Sequence, residues 1–240
     1  MWKRISAFLF DLILLGIASV LFALIISILT GYDGWRQKLN DRYDHYSASY
    51  GVDLRMSLTQ YDGLSAEEKA LLEQAYDALA ADTQAVHAYS MTVNLTVVIT
   101  SIGLLLGYLA MEFTVPLLLK DGRTLGKKIF GLAVMRRDGV RVSHVQLFVR
   151  TILGKYALET MIPVLIVLMM FWGSLGIVGL IVLVLIPLLE IIVMIRTEEN
   201  CAIHDIIAHT AVVDYASQMI FGTDEEMAAY KARIQARDSD

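Results

Sequence analysis

Four carboxylates lie inside apolar runs, where a charge is costly and an ionisable side chain marks a path for ions or protons. Asp11 sits in the run Ile5 to Leu29, seven residues after Arg4 in RISAFLFD. Glu112 lies in GYLAMEFTVPLLL, Glu159 in KYALETMIPVLIV and Glu190 in LVLIPLLEIIVMI. Pro116 and Pro163 each follow one of these glutamates by four residues. A helical proline leaves the carbonyl four residues before it without its hydrogen bond, so Glu112 and Glu159 are each expected beside a free carbonyl. Pro187 instead frees Leu183. Carboxylates next to unwound carbonyls are the ligand chemistry of a hard cation or a proton relay. A structural alternative stands beside this one: such carboxylates also pair with basic residues to dock an inner domain, and prolines also simply kink membrane helices. Asp11, in a run with no other charge, is the leading functional candidate.

At the helical rise of about 1.5 Å per residue, Asp11 lies ~9 Å inside its span; Glu112 is at a similar depth and Glu159 and Glu190 are slightly shallower. All four are therefore expected at one level, near one membrane face. Arg4 and Asp11 are two turns apart and share a helix face. Arg4 can snorkel to the interface, whereas Asp11 cannot. Arg150, Lys155, Lys127, Lys128 and His204 are the cationic candidates to meet the carboxylates.

The elements that must hold this layer follow from hydropathy. The chain has 240 residues, 56% of them hydrophobic, and a mean hydropathy of +0.57, too apolar for an ordinary soluble domain. Ile5 to Leu29, Ala88 to Leu119 and Leu175 to Ile195 are each long enough to cross about 30 Å of hydrocarbon. Tyr156 to Trp172 is a shorter fourth run, and Gly173-Ser174 after it reads as a tight helical hairpin. The first run is too long for a signal-peptide core and no small-residue cleavage pattern follows, so it is expected to be retained. The reading is an all-α integral membrane protein: four transmembrane helices with a small cytoplasmic β-hairpin or sheet and an extracytoplasmic helical insertion. Its segments are a first span (1–30), an outer insertion (31–87), a second span (88–119), a basic inner segment (120–155), a helical hairpin (156–195) and an inner tail (196–240).

Orientation comes from the flanking charges. The inner segment carries Lys120, Arg123, Lys127, Lys128, Arg136, Arg137, Arg141, Arg150 and Lys155, whereas the longer Thr30 to His87 stretch is acidic. Positive-inside then puts both termini in the cytoplasm. The lone cysteine, Cys201, permits no internal disulfide. The net charge of -5 mixes two opposite faces and excludes little.

Within the insertion, a tyrosine-rich part reads as irregular. Ser65 and Glu68 form a capping box that opens an amphipathic helix, AEEKALLEQAYDALA, suited to a lid or shoulder. In the inner segment, LAVMRRDGVRV alternates around Asp138-Gly139 and predicts a strand pair. Ser143 and Gln146 cap a helix expected to lie along the membrane surface before the third span. Ile203 to His209 suits a short helix and Thr210 to Tyr215 a strand able to join the hairpin. From Asp224 the tail is charged and helical in composition. Gly103 and Gly107, Gly173, Gly176 and Gly179, and the stripe Thr92, Thr96 and Thr100 read as helix contacts, within one chain or in a homodimer.

Phosphate and metal motifs are weak. DGRTLGKKIFG lacks the GxxxxGK[ST] spacing and is not a Walker loop; it suits lipid phosphates or neighbouring carboxylates. His204, Asp205 and His209 form an incomplete metal set, and helix capping suits Asp205 better, so any metal stays unknown. No cofactor, nucleic-acid partner or nucleophile–base pair is legible, so no enzyme is expected.

On Arg4 and Asp11 in RISAFLFD, Gly122, Thr124, Gly126 and Lys127 in DGRTLGKKIFGLAV, Arg150, and His204-Asp205 in IHDIIAHTAVV, the chain resembles the RDD family of bacterial membrane proteins. The resemblance covers most of Trp2 to Thr30 and Glu112 to Asp214, and leaves Gly31 to His87 outside the family core. It implies a helical membrane domain of the bacterial inner membrane and raises Asp205 as a functional residue. Some members of the family are thought to be cation/proton antiporters. Three functions are weighed. The first is a small transporter or transporter subunit, homo-oligomeric because four spans are few. The second is a non-transporting module binding anionic lipid headgroups or a partner, and the third an intramembrane enzyme. A hydrated pocket with two unpaired carboxylates would favour the first, and a closed ion-pair network the second.

Overall fold

A computed structural model describes residues 2–119, 121–197 and 200–238. Lys120, one of the basic residues used for orientation, lies outside them. Two compact units emerge: Met1–Phe22 with Ser101–Asp240, and Ala23–Thr100. Four helical runs are long and apolar enough to cross a membrane, Trp2–Thr30, Thr83–Leu118, His144–Phe171 and Gly176–Arg196.

Helix α1 (Trp2–Thr30) buries a single stripe, Ala7, Asp11, Leu15 and Ser19, and exposes large apolar side chains such as Ile13, Ile17 and Leu24 elsewhere. A one-sided stripe at i, i+4 is what a helix with one protein face and a lipid face requires. The left-handed Gly31 ends it, with φ 65°.

The 23–100 unit corrects the sequence reading. Its tyrosine-rich part is a regular helix, α2 (Tyr32–Tyr50), closed by left-handed Gly51. Tyr43, Tyr46 and Tyr50 fall on one helical face and pack on a core of Leu54, Leu72, Ala75, Leu79 and Ala85. Tyrosine serves here as an amphipathic core residue, with its polar tip turned to an acceptor. Tyr46 Oη reaches Asp82, and on the facing side Tyr76 Oη donates to Leu54 O at 2.6 Å. Helix α3 (Leu58–Asp62) follows, then α4 (Ala66–Ala81), which begins at the expected Ser65–Glu68 capping box. Asp82 accepts from Gln84 N at 2.8 Å and so caps the next helix, α5 (Thr83–Tyr108). Thr92 and Thr96 return their hydroxyls to Ala88 O and Thr92 O, so most of that stripe is spent on its own helix.

Two of the three proline-containing runs widen just before the proline. A π-helical segment, Leu109–Thr114, leads to α6 (Val115–Leu118) with Pro116; a second, Val149–Met161, leads to the helix Ile162–Phe171 with Pro163. A wider turn relieves the clash between the proline ring and the carbonyl behind it. The carbonyl of Glu112 is not left free as expected: Thr151 Oγ1 donates to it at 3.1 Å, joining the two spans.

Between these runs lie α7 (Leu125–Ile129), β1 (Leu132–Arg136) and α8 (His144–Phe148). The predicted strand pair is corrected. Gly139 does turn the chain, at φ 94°, but the return arm forms isolated bridges, Met135↔Arg141 and Val140↔Phe221, in place of a strand, because Ser143 starts α8 almost at once. The true partner of β1 is the later strand β2 (Thr210–Asp214), antiparallel, with Leu132 opposite Asp214 and Arg136 opposite Thr210. The surface helix is corrected as well. Helix α8, the π segment and α9 (Ile162–Phe171) form one uninterrupted run, His144–Phe171, with Pro163 taken up inside it. The helix therefore passes through residue 155 without a break.

Gly173 and Gly176, at φ 73° and 49°, make the expected tight turn into α10 (Gly176–Arg196), which contains Pro187. Helix α11 (Ile203–Ile207) precedes β2, and α12 (Asp224–Asp238) forms the charged tail. Close approach inside the larger unit depends on glycines. A Cβ on Gly107 would lie 3.2 Å from Ser19 Cα, and one on Gly154 would lie 2.8 Å from His204 Cα. Gly154→Val is expected to push α11 off the third span and lower stability by about 1–3 kcal/mol. Gly34→Ala, in open space, should leave it nearly unchanged. Thermal unfolding of the two variants in detergent checks both.

Candidate functional site

The GxTxGK-type loop is latched to the first span by Asp11. Thr124 caps α7, its Oγ1 accepting from Lys127 N, and the same hydroxyl donates to Asp11. Gly126 N donates to the other Asp11 oxygen at 2.7 Å. Any Cβ at Gly126 would sit 2.9 Å from Asp11 Cγ, so only glycine brings the backbone close enough. Lys127 Nζ stands 3.8 Å from the carboxylate and 3.1 Å from Thr124 Oγ1. Gly122 turns the loop at φ 68°. Each position of the motif thus has a physical reason, and the loop's anion is a carboxylate of the same chain.

The second anchor joins the third span to α11 and the sheet. Arg150, only 2% exposed, donates through Nε to Asp205 Oδ1 at 2.8 Å, and Thr210 Oγ1 donates to the same oxygen at 2.9 Å. Asp205 was expected to cap its helix. It does not: Ala202 occupies the N-cap, and the carboxylate is turned to the buried guanidinium, whose charge must be matched where it lies. Arg150 Nη2 also contacts His204 Nε2 at 3.0 Å. A guanidinium can only donate, so Nε2 is the acceptor and the imidazole proton sits on Nδ1. From there it is donated to Glu159, 2.8 Å away, while His204 N donates to the same carboxylate. His204, read from sequence as a cation, is a neutral bridge.

Lys155 pairs with Glu112 at 2.6 Å. Arg4 does not pair with Asp11; it donates to the backbone carbonyls of Asn200 and Val212, tying α1 to the α11 and β2 region. Lys128 is exposed and meets no carboxylate among the described residues. Tyr108 and Thr160, bonded at 2.7 Å, were not singled out from the sequence, because neither hydroxyl is unusual in an apolar run.

All four carboxylates reach one cavity of about 480 Å³, which Arg4, Lys127, Arg150, Lys155, His204 and Asp205 also line. Four cationic and five anionic side chains share its wall. Asp11, Glu112, Glu159 and Asp205 each have a partner within hydrogen-bonding reach. Glu190 has no hydrogen bond or ion pair among the described residues, and it is partly buried. Glu159, Glu190 and His204 present ligand atoms within 4.8 Å of one another. His209, the third member of the incomplete metal set, is exposed on a left-handed turn at φ 52°.

Three groups of the cavity wall that lie outside the spans are shifted. Burial, and then the positive charge of Arg150, lower the His204 imidazole from its ordinary value. Burial pushes the Asp205 carboxyl up, but Arg150 and the Thr210 hydroxyl hold it below its ordinary range. Burial and the neighbouring Lys155 bring the Lys127 ammonium down to about 8 from 10.5. Below pH 8 both folded and unfolded states carry this proton, and the folded state bears the burial penalty. As pH rises from 8 towards 10.5 only the unfolded state keeps it, so stability should rise across that window. Denaturation followed over this range is expected to show a shallower rise in Lys127→Met than in the wild type.

A model of the RDD family matches residues 1–209. No match is found among the curated proteins or among the solved structures. The arginine, aspartate and loop residues that carried the resemblance all fall inside that match, and the chain belongs to the RDD family.

Proposed function

We propose that the chain is a transporter, or a transporter subunit, of the bacterial inner membrane, with both termini in the cytoplasm, that moves a cation or proton through the cavity. The observation that carries this reading is the charge imbalance of the wall: one more anion than cations, with Glu190 as the carboxylate that no cation partners among the described residues. An uncompensated carboxylate in a low-dielectric wall attracts a mobile positive charge. Glu190 takes the exchanging role that sequence reasoning gave to Asp11, whose oxygens are committed to the loop. Four spans per chain suit a homo-oligomer around this path. The long exposed apolar faces of α1 and α10 suit lipid and a second copy alike.

A second reading has its own support. Asp11, Glu112, Glu159 and Asp205 are all partnered, which is what a non-transporting assembly or lipid-binding module with a basic cytoplasmic face would require. Proteoliposomes loaded with a pH-sensitive dye and challenged with Na⁺, K⁺ or Li⁺ separate the two. Cation-driven proton movement is expected from the wild type and should fall at least about tenfold in Glu190→Gln, which breaks no contact and should keep the fold. No movement from folded wild type, or undiminished movement in the variant, would move the weight to the module.

A further inference from the structure

His204, Glu159 and Glu190 come from three separate elements, α11, the π segment of the third span and α10, and meet on the cavity wall with their ligand atoms within 4.8 Å. We propose that these three side chains form a binding site for a divalent first-row transition-metal ion of the Zn²⁺ class. One imidazole with two carboxylates is a borderline donor set, suited to Zn²⁺ or Co²⁺ and poorly to Na⁺, K⁺ or Mg²⁺, which prefer oxygen alone. Three protein ligands leave a further position open, and here that position faces the cavity.

The charges close. His204 is neutral, so the three ligands carry two negative charges, which a divalent ion matches, while Arg150 is already matched by Asp205 at 2.8 Å. The proton count closes as well. The ion takes the Nδ1 lone pair, and the proton now on Nδ1 passes to Nε2, leaving the imidazole neutral. Asp205 Oδ2 is 3.5 Å from Nε2 and becomes its acceptor, giving the carboxylate–histidine–metal arrangement that fixes a ligand tautomer. Arg150 Nη2 gives up its contact with His204 and keeps its Nε bond to Asp205. Gly154 keeps α11 near enough for His204 to reach the glutamates, since a side chain there would strike His204 itself.

The site shares Glu190 with the transport reading but requires no flux, so its test is a binding measurement on the whole chain in detergent. Co²⁺ is added and its visible absorption followed, with Zn²⁺ displacing it and excess Na⁺ or Mg²⁺ as challengers. One Co²⁺ per chain, displaced by Zn²⁺ and indifferent to Na⁺ and Mg²⁺, is expected. Glu190→Gln, which removes a ligand without breaking a contact, should weaken binding about 10–100-fold. Asp205→Asn should weaken it by a similar factor, with the Co²⁺ spectrum retained at saturation. Absence of binding by folded wild type would overturn the site, as would binding unchanged in Glu190→Gln or displacement by Na⁺ or Mg²⁺. Proton flux that persists with no metal binding would overturn this site alone and leave the transport reading standing.

Discussion

A guanidinium that is 2% exposed must find its counter-charge on the spot, and the position of Arg150 fixes what surrounds it. Its partner Asp205 belongs to α11, and Thr210, which completes the hydrogen bonding of that carboxylate, begins β2. Pairing one side chain therefore seats the short helix and the edge of the sheet against the third span together. β1 then follows as the antiparallel neighbour of β2, and α7, leading into β1, carries the loop that Asp11 holds. His204, adjacent to Asp205, is swept into contact with Arg150 and Glu159 by the same pairing.

Two devices make this convergence sterically possible. Glycines at 107, 126 and 154 remove the side chains that would hold backbones apart. Widened turns before Pro116 and Pro163 re-aim the residues ahead of them, and Glu112 and Glu159 both lie in those widened stretches. Irregular winding inside a membrane run is tolerated when neighbouring side chains satisfy the backbone, as Thr151 does for the Glu112 carbonyl. The outcome is a cavity with a crowded, almost balanced wall, in which Glu190, unpartnered among the described residues, stands out because the others are so fully engaged.

What the sequence made legible was local. Spans, capping boxes at Ser65 and Ser143, the Gly173 turn and the charged tail helix all follow from short-range patterns, and each appears where its residues sit. The candidate residues themselves were also legible, since a carboxylate in an apolar run is conspicuous. Their pairing was not. Asp11 meets a threonine 113 positions away and Glu112 a lysine 43 away, and no short-range pattern encodes such partners. The helix at Tyr32–Tyr50 escaped because tyrosine reads as polar or turn-like in a charged segment, although its spacing was helical throughout. The strand pairing was misassigned because Asp138-Gly139 is a good turn whose return arm is cut short by Ser143. Most consequentially, Asp11 attracted the functional weight as the most isolated charge in sequence, while Glu190 is the isolated one in space.

The dependence of the whole arrangement on the Arg150–Asp205 pair is best measured by a double-mutant cycle in detergent-solubilised protein, with Arg150→Met, Asp205→Leu and the two combined. Each single change leaves a buried charge alone and is expected to cost about 3–5 kcal/mol. The double change removes both charges and should recover about a third of the summed loss or more, a coupling of at least about 2 kcal/mol. Costs that simply add would contradict the account, for they would mean that α11 and the sheet are seated by something other than this ion pair.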